Sequence, residues 1–234
     1  PDPKNPTAPF TWHPLSPDKK YHRFTHGLGV GDVNGDGRLD LLEKDGWWEQ
    51  PASLAGDPVW KKHPFPFAPG RGSSQMLVAD VNGDGLPDVV SAKDAHGYGL
   101  SWFEQVRGAD GTITFKEHAI TSTKADEKLG GVQFSQLHAV ELADLDRDGL
   151  PDIITGKRWW AHGPKGDAEP NADPVIQAFL LRRERGQVRF EPRQIDAASG
   201  IGVQLVVADA DGDGIPDLVS ANKRGTFVFL SGAA

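Results

Sequence analysis

The nine residues DVNGDGRLD, Asp32 to Asp40, decide the fold because the chain repeats them three more times. The other copies are DVNGDGLPD at 80–88, DLDRDGLPD at 144–152 and DADGDGIPD at 209–217. Their shared form is D-x-[DN]-x-D-G-x-x-D. Each copy follows a strand-like run (GLGVG, MLVA, AVELA, QLVVA) and precedes another (LLEK, VVSA, IITG, LVSA). Short β-branched runs on both sides of an Asp/Gly cluster predict a loop joining two strands.

More than the loop repeats. Past the last aspartate comes a third apolar segment: WWEQ at 47–50, LSWFEQ at 100–105, VIQAFLLRR at 175–183 and TFVFL at 226–230. A fourth segment carries aromatic-x-x-basic-x-apolar, as Trp60, His63, Phe65, then Phe115, His118, Ile120, then Phe190, Arg193, Ile195. The same pattern opens the chain as Phe10, His13, Leu15, whereas no such segment follows the fourth loop. The expectation is an all-β propeller of four-stranded antiparallel blades, four in this chain, with the N-terminal strand closing the last blade. Residues 1–9 read as a linker and 10–234 as one domain. The loops start 48, 64 and 65 residues apart, beyond the roughly 40 to 50 of a simple blade, so insertions are expected between Arg107 and Gly131 and between Ala161 and Asp173.

The loop's chemistry follows from its spacing. Side chains at positions 1, 3, 5 and 9 and a carbonyl at position 7 can turn oxygens toward one point, and glycine at position 6 permits the sharp turn. Hard oxygen donors in a flexible arc suit Ca²⁺. The expected donors are Asp32, Asn34, Asp36, Arg38 (carbonyl) and Asp40; Asp80, Asn82, Asp84, Leu86 (carbonyl) and Asp88; Asp144, Asp146, Asp148, Leu150 (carbonyl) and Asp152; and Asp209, Asp211, Asp213, Ile215 (carbonyl) and Asp217. These loops hold 14 of the 33 acidic residues, and four divalent ions would offset the net charge of −8. An EF-hand would need Glu at position 12; only the first copy has it, as Glu43, where the others have Ser91, Thr155 and Ser220.

On these motifs the chain, from about residue 10 to 232, resembles the FG-GAP/VCBS repeat family. It lacks that family's Phe-Gly and Gly-Ala-Pro signatures. The resemblance implies a propeller with calcium loops between the first and second strands of each blade, usually extracellular, periplasmic or at the cell surface.

Alternating strand direction puts the loops at one end of the blades and the start of each first strand at the other. His26 and His138 each lie six residues before a first loop aspartate, and His96 and His162 fall between second and third strands. Lys93, Lys157, Tyr98, Trp48 and Trp159 lie near the same end. Imidazoles, ammonium groups and aromatic faces together suit a carbohydrate or carboxylate, and paired histidines suit an additional transition metal. The expected function is a calcium-stabilised binding module for carbohydrate or a protein partner. A narrower resemblance, in GWWEQP, HGYGLSWFEQ and QLHAVELADLD, is to propellers attached to secreted bacterial enzymes and to aldos-2-ulose dehydratase-type lyases. It implies a second role, a sugar dehydratase with His26, His96 and His138 as metal or acid/base groups. A third role, one arc of a larger propeller or oligomer, follows if the ring is incomplete. His13, His63 and His118 read as members of the outer-strand repeat.

Composition narrows the alternatives. An acidic chain (pI about 5.4) has no basic field for nucleic acid. Its apolar runs are strand-sized, against the roughly 20 residues of a membrane helix. Without cysteine, neither disulfides nor thiol chemistry is available.

Overall fold

A computed structural model describes residues 4–18 and 21–232, so the first three linker residues and the last two of the domain lie outside the described residues. Among the described residues every regular element is a strand except one 3₁₀ turn, Leu129–Gly131. Four antiparallel meanders follow one another along the chain. The first contains β1 (His26–Gly31), β2 (Asp40–Glu43), β3 (Gly46–Glu49) and β4 (Lys61–Pro64). The second contains β5 (Gly72–Ala79), β6 (Asp88–Ala92), β7 (Leu100–Arg107) and β8 (Ile113–Thr121). The third contains β9 (Val140–Ala143), β10 (Asp152–Gly156), β11 (Ile176–Glu184) and β12 (Gln187–Asp196). The fourth has three strands, β13 (Leu205–Ala208), β14 (Asp217–Asn222) and β15 (Gly225–Phe229). Each Asp-rich loop joins the first and second strands of its meander, as the repeat predicts.

The first strands lie side by side. β1 and β5 pair in parallel, fusing two meanders into one eight-stranded sheet, β4-β3-β2-β1-β5-β6-β7-β8. This close approach explains the glycines of β1, since a Cβ at Gly29 would fall 2.2 Å from the carbonyl oxygen of Met76. Only a residue without a side chain fits there. β9 adjoins β5, and β13 adjoins β9.

Strand alternation assigns consecutive residues to consecutive cores. Val89 packs toward the first meander with Val33, Leu42, Trp47, Met76 and Phe103, whereas Val90 packs toward the third with Leu100, Leu137, Val140 and Phe179. Ile153 shares the second of these cores, and Ile154 turns to the fourth meander with Ile176, Ile201, Leu205 and Leu218. Full burial of each such side chain contributes about 1.5–3 kcal/mol. The second strands therefore read as continuous apolar runs, because both of their faces are covered.

The end meanders differ. Val206, Val219 and Val228 are in register on one face of the fourth, and Val206 and Val228 are about half exposed. Leu28 and Val30 of β1 are exposed as well. The N-terminal segment does not complete the fourth meander as expected. Leu15 accepts a hydrogen bond from the Trp60 N–H (2.9 Å), Tyr21 donates to Glu43 (2.9 Å), and His13 meets Asp57. All three contacts are to the first meander. Phe10 and Trp12 stay exposed, and 10–15 forms no strand. Local contacts with the 57–60 segment prevail over the distant edge of β15.

The insertions also shift. β8 extends through Thr121, so the first insertion starts after it, at 122–139, and the second spans 157–175 between β10 and β11. Both gather at the end opposite the Asp-rich loops.

Candidate functional site

Each Asp-rich loop is wound around its first aspartate. Asp32 accepts from the N–H groups of Gly35 (2.8 Å), Asp36 (3.0 Å) and Gly37 (2.8 Å). Asp80, Asp144 and Asp209 each accept from two of the same three positions, always including position 6. The fifth-position carboxylates of Asp36, Asp84, Asp148 and Asp213 each accept from the N–H of position 7. Position 4 is left-handed in the third loop although it is not glycine, Arg147 at φ 62°.

The ninth-position aspartates perform a task the sequence reading missed. Asp40, Asp88, Asp152 and Asp217 are fully buried, and each accepts two backbone hydrogen bonds. One comes from position 2 of its own loop (Val33, Val81, Leu145, Ala210) at 2.8–3.0 Å. The other comes from the third strand or one of the two residues past it (Gln50, Gln105, Leu181, Ser231) at 2.7–2.9 Å. The carboxylate ties the loop to its blade. Burial pushes Asp88 up to about 6 despite these bonds, with Asp84 and Asp80 adding repulsion, and raises Asp40 and Asp152 as well. In the fourth loop the N–H groups of Ser231 and Ala210 prevail and Asp217 is lowered.

The donor set fits a hard cation. Carboxylate oxygens of Asp144, Asp146 and Asp152 lie within 4.8 Å of one another, as do those of Asp209, Asp211 and Asp217. Arginines hold the loops from outside. Arg182 pairs with Asp146 and Asp148, and Arg38 with Asp36. Arg107 of the second meander donates to the carbonyl of Asn34 (2.7 Å), and Arg183 of the third to those of Asp80 and Val81. Neighbouring meanders are thus laced together at their loops.

At the other end four histidines from three meanders meet. His26 opens β1, His138 precedes β9, and His96 and His162 stand in the loops after β6 and β10. Ring centroids are 5.0 Å apart for His26 and His96, 4.9 Å for His26 and His138, and 5.0 Å for the stacked His96 and His162. Backbone bonds hold the loops in place: Gln136 N–H donates to Gly97 (2.7 Å), and the side chains of Ser135 and Gln136 donate to Ala168. Asp167 bonds both His96 (3.1 Å) and His162 (2.8 Å), while the buried Arg158 reaches His96 (3.0 Å). Burial, then Arg158 and the neighbouring imidazoles, hold His138 down to about 3; burial and Arg158 lower His96. Two clefts open beside the cluster. One of about 180 Å³ is lined by His26, His138 and Val203, and one of about 250 Å³ by Arg158, Trp159 and Val203.

Residues 80–155 match the model of the FG-GAP-like repeat. This segment is similar to an FG-GAP-like repeat. No curated protein matches it. The matched FG-GAP-like segment runs from the first aspartate of the second loop into β10, so it takes in two of the four loops with the strands around them.

Of the other residues expected at the histidine end, some belong to the scaffold. Lys93 is buried, pairs with Glu117 (2.9 Å) and lies over the Phe103 ring. Lys157 is buried, bonded to Ser135, and lowered to about 8 by burial. Trp48 is buried beneath Lys62 on the first blade, apart from the cluster. Tyr98 bonds Glu169, and its hydroxyl is pushed up to about 12, by burial first. Trp159 stacks on Trp160 under Arg224 and borders the site. In the outer-strand repeat, His63 stacks on Trp47 and bonds Glu49, and His118 stacks on Trp102 and bonds Glu104. Arg158 and Asp167 escaped the sequence reading, because nothing in their local pattern marks them.

Proposed function

We propose that the chain is an extracellular binding module, a β-propeller-type arrangement of FG-GAP-like repeats stabilised by calcium, whose histidine end takes an acidic carbohydrate. The observation that carries the reading is Arg158. Its guanidinium is buried among imidazoles, its Nε has no hydrogen-bond partner, and a cleft flanked by Trp159 opens beside it. A buried donor without an acceptor costs about 1–3 kcal/mol, and a ligand carboxylate would relieve that cost. Aromatic faces beside a cation suit a sugar ring bearing an acid group.

Calcium enters through the loops. The crowded carboxylates, with Asp88 raised by burial and by its neighbours, are the arrangement a divalent cation relieves. The ions would be held by the donors at positions 1, 3, 5, 7 and 9 of each loop. They would pin the first strand to the second, while the ninth aspartate pins the loop to the third. Affinities in the range of extracellular modules would keep the sites filled at about 1 mM calcium.

The test is equilibrium binding of uronic-acid oligosaccharides and their neutral counterparts to the calcium-loaded protein and to Arg158→Gln. The expected result is binding of the acidic series that drops tenfold or more in the variant. Equal binding by the variant, or no binding of either series, would overturn the assignment.

A further inference from the structure

We propose that the groove between the second and third meanders is a docking site for an extended segment with two aromatic residues two positions apart, and that its occupant is Phe10–Trp12 of a second copy of this chain. The site lies along the outer strands and is independent of the ligand reading above.

The groove exists because one junction between meanders lacks what its neighbour has. Between the first and second meanders four rings interlock. Phe65 and Phe67, which follow β4, pack on Phe103 and Phe115 with centroids 5.1–5.9 Å apart. Strand register locates their counterparts one meander on. Trp47 pairs with His63 as Trp102 pairs with His118, so Ile120 and Ser122 stand where Phe65 and Phe67 do. Val89 pairs with Phe103 as Ile153 pairs with Phe179, and Gln105 with Phe115 as Leu181 with Phe190. The facing wall therefore keeps both of its rings, and the second junction has two of the four. Phe134 from the first insertion returns one, 6.5 Å from Phe179. A cavity of about 590 Å³ remains, with Trp102 and Ile120 on one wall and Phe179, Val188 and Phe190 on the other. That volume falls within the roughly 300–1,000 Å³ of ligand sites, and the equivalent place in the first junction is filled by an aromatic ring.

The groove also offers backbone. β8 and β12, which border it, are the edge strands of their sheets. An edge strand presents unpaired N–H and C=O groups to an extended segment.

The chain carries a segment of the matching kind. Phe10 and Trp12 are each 82% exposed, more than any other large apolar side chain among the described residues. They are two residues apart, as Phe65 and Phe67 are, and in an extended chain such residues share a face. Pro9 and Pro14 bracket them, which biases the stretch toward extended backbone and lowers the entropy lost on docking. The segment is anchored next to an outer strand, since Leu15 accepts from the N–H of Trp60, the residue before β4. That anchor is on the first meander, whereas the groove lies on the face of the second that is turned to the third. A second copy brings the two together. Each copy has one segment and one groove, so a reciprocal exchange closes as a twofold dimer.

Sedimentation equilibrium of the calcium-loaded full chain tests this, and a monomer–dimer equilibrium is expected. The double variant Phe10→Ser/Trp12→Ser should weaken the dimer tenfold or more. Ile120→Phe should do the same, because it puts into the groove the ring that Phe65 supplies at the other junction. Leu129→Glu, which places a charge in the groove lining on a side chain that is 40% exposed, should also weaken it and keeps the test decisive should Ile120→Phe fail to fold. A labelled peptide of residues 4–15 should bind the Phe10→Ser/Trp12→Ser protein and lose that binding when Leu129→Glu is added. A chain that stays monomeric at every concentration would overturn the inference. That includes the case in which the peptide binds the double variant but not the parent, since the segment would then occupy the groove of its own chain. A dimer lost in the double variant but unchanged in both groove variants would place the segment elsewhere and overturn it too, as would a dimer indifferent to Phe10 and Trp12.

Discussion

The N–H of Gln105 donates to Oδ1 of Asp88 at 2.8 Å while Oδ2 of the same carboxylate accepts from Val81 at 3.0 Å. One buried side chain therefore joins the end of the Asp-rich loop to the third strand of its blade. Gln105 continues the linkage, since its Nε2 donates to Val33 in the loop of the preceding blade (2.8 Å). Loop, meander and neighbouring meander depend on a single network.

Asp88→Ala should be among the most damaging single changes. It strands two buried backbone donors, each costing about 1–3 kcal/mol, for a total of roughly 2–6 kcal/mol. Urea unfolding checks this, as a lower midpoint at unchanged slope. The same substitution at Asp110, an exposed turn residue, should cost less than about 1 kcal/mol.

Two glycines should respond differently to alanine. At Gly29 the added Cβ would meet Met76 backbone 2.2 Å away, which forces β1 from β5 and should cost several kcal/mol, on the order of other overpacking changes. At Gly37 there is open space but φ is +84°, so only backbone strain of about 1–2 kcal/mol is expected. Paired chemical denaturation curves separate the two mechanisms.

The acid side of the stability profile should carry a signature of His138. Its folded pKa of about 3 lies below the ordinary imidazole value of about 6.5. Between these values the unfolded chain binds a proton that the folded chain does not. Stability thus falls as pH drops from about 6.5 toward 3, by up to roughly 1.4 kcal/mol per pH unit from this group. In chelator, His138→Gln should flatten that part of the profile. An unchanged slope in the variant would assign the acid sensitivity to other groups.

Much of this architecture could be read from the chain, and the reasons differ by element. The loops were legible because Asp32 and its three counterparts wind the backbone with local hydrogen bonds, which leave a strict nine-residue spacing. The outer strands were legible because His63 and His118 each stack on a tryptophan and bond a glutamate, a pattern that recurs with the blades. The same pattern misled at the N-terminus. His13 has the right spacing but finds Asp57, 44 residues away, instead of a strand partner on β15. The histidine end was legible only as a direction. Alternating strands put His26, His96, His138 and His162 at one end, whereas Arg158 and Asp167 join them through irregular insertions whose course no periodicity encodes. Lys93 is buried over Phe103 and Lys157 beside Ser135, a consequence of packing that no local pattern encodes.

Calcium dependence of the melting temperature is the measurement closest to the centre of the account. If each loop binds near 10 µM, 1 mM calcium stabilises the fold by roughly 2.7 kcal/mol per site. Several sites together would rival the total stability of an ordinary domain. Scanning calorimetry of chelator-treated protein should therefore show a melting temperature that climbs steadily with added calcium and does not climb with magnesium at the same concentration. A transition at one temperature in chelator and in millimolar calcium would contradict the claim that these four loops are calcium sites that hold the blades together.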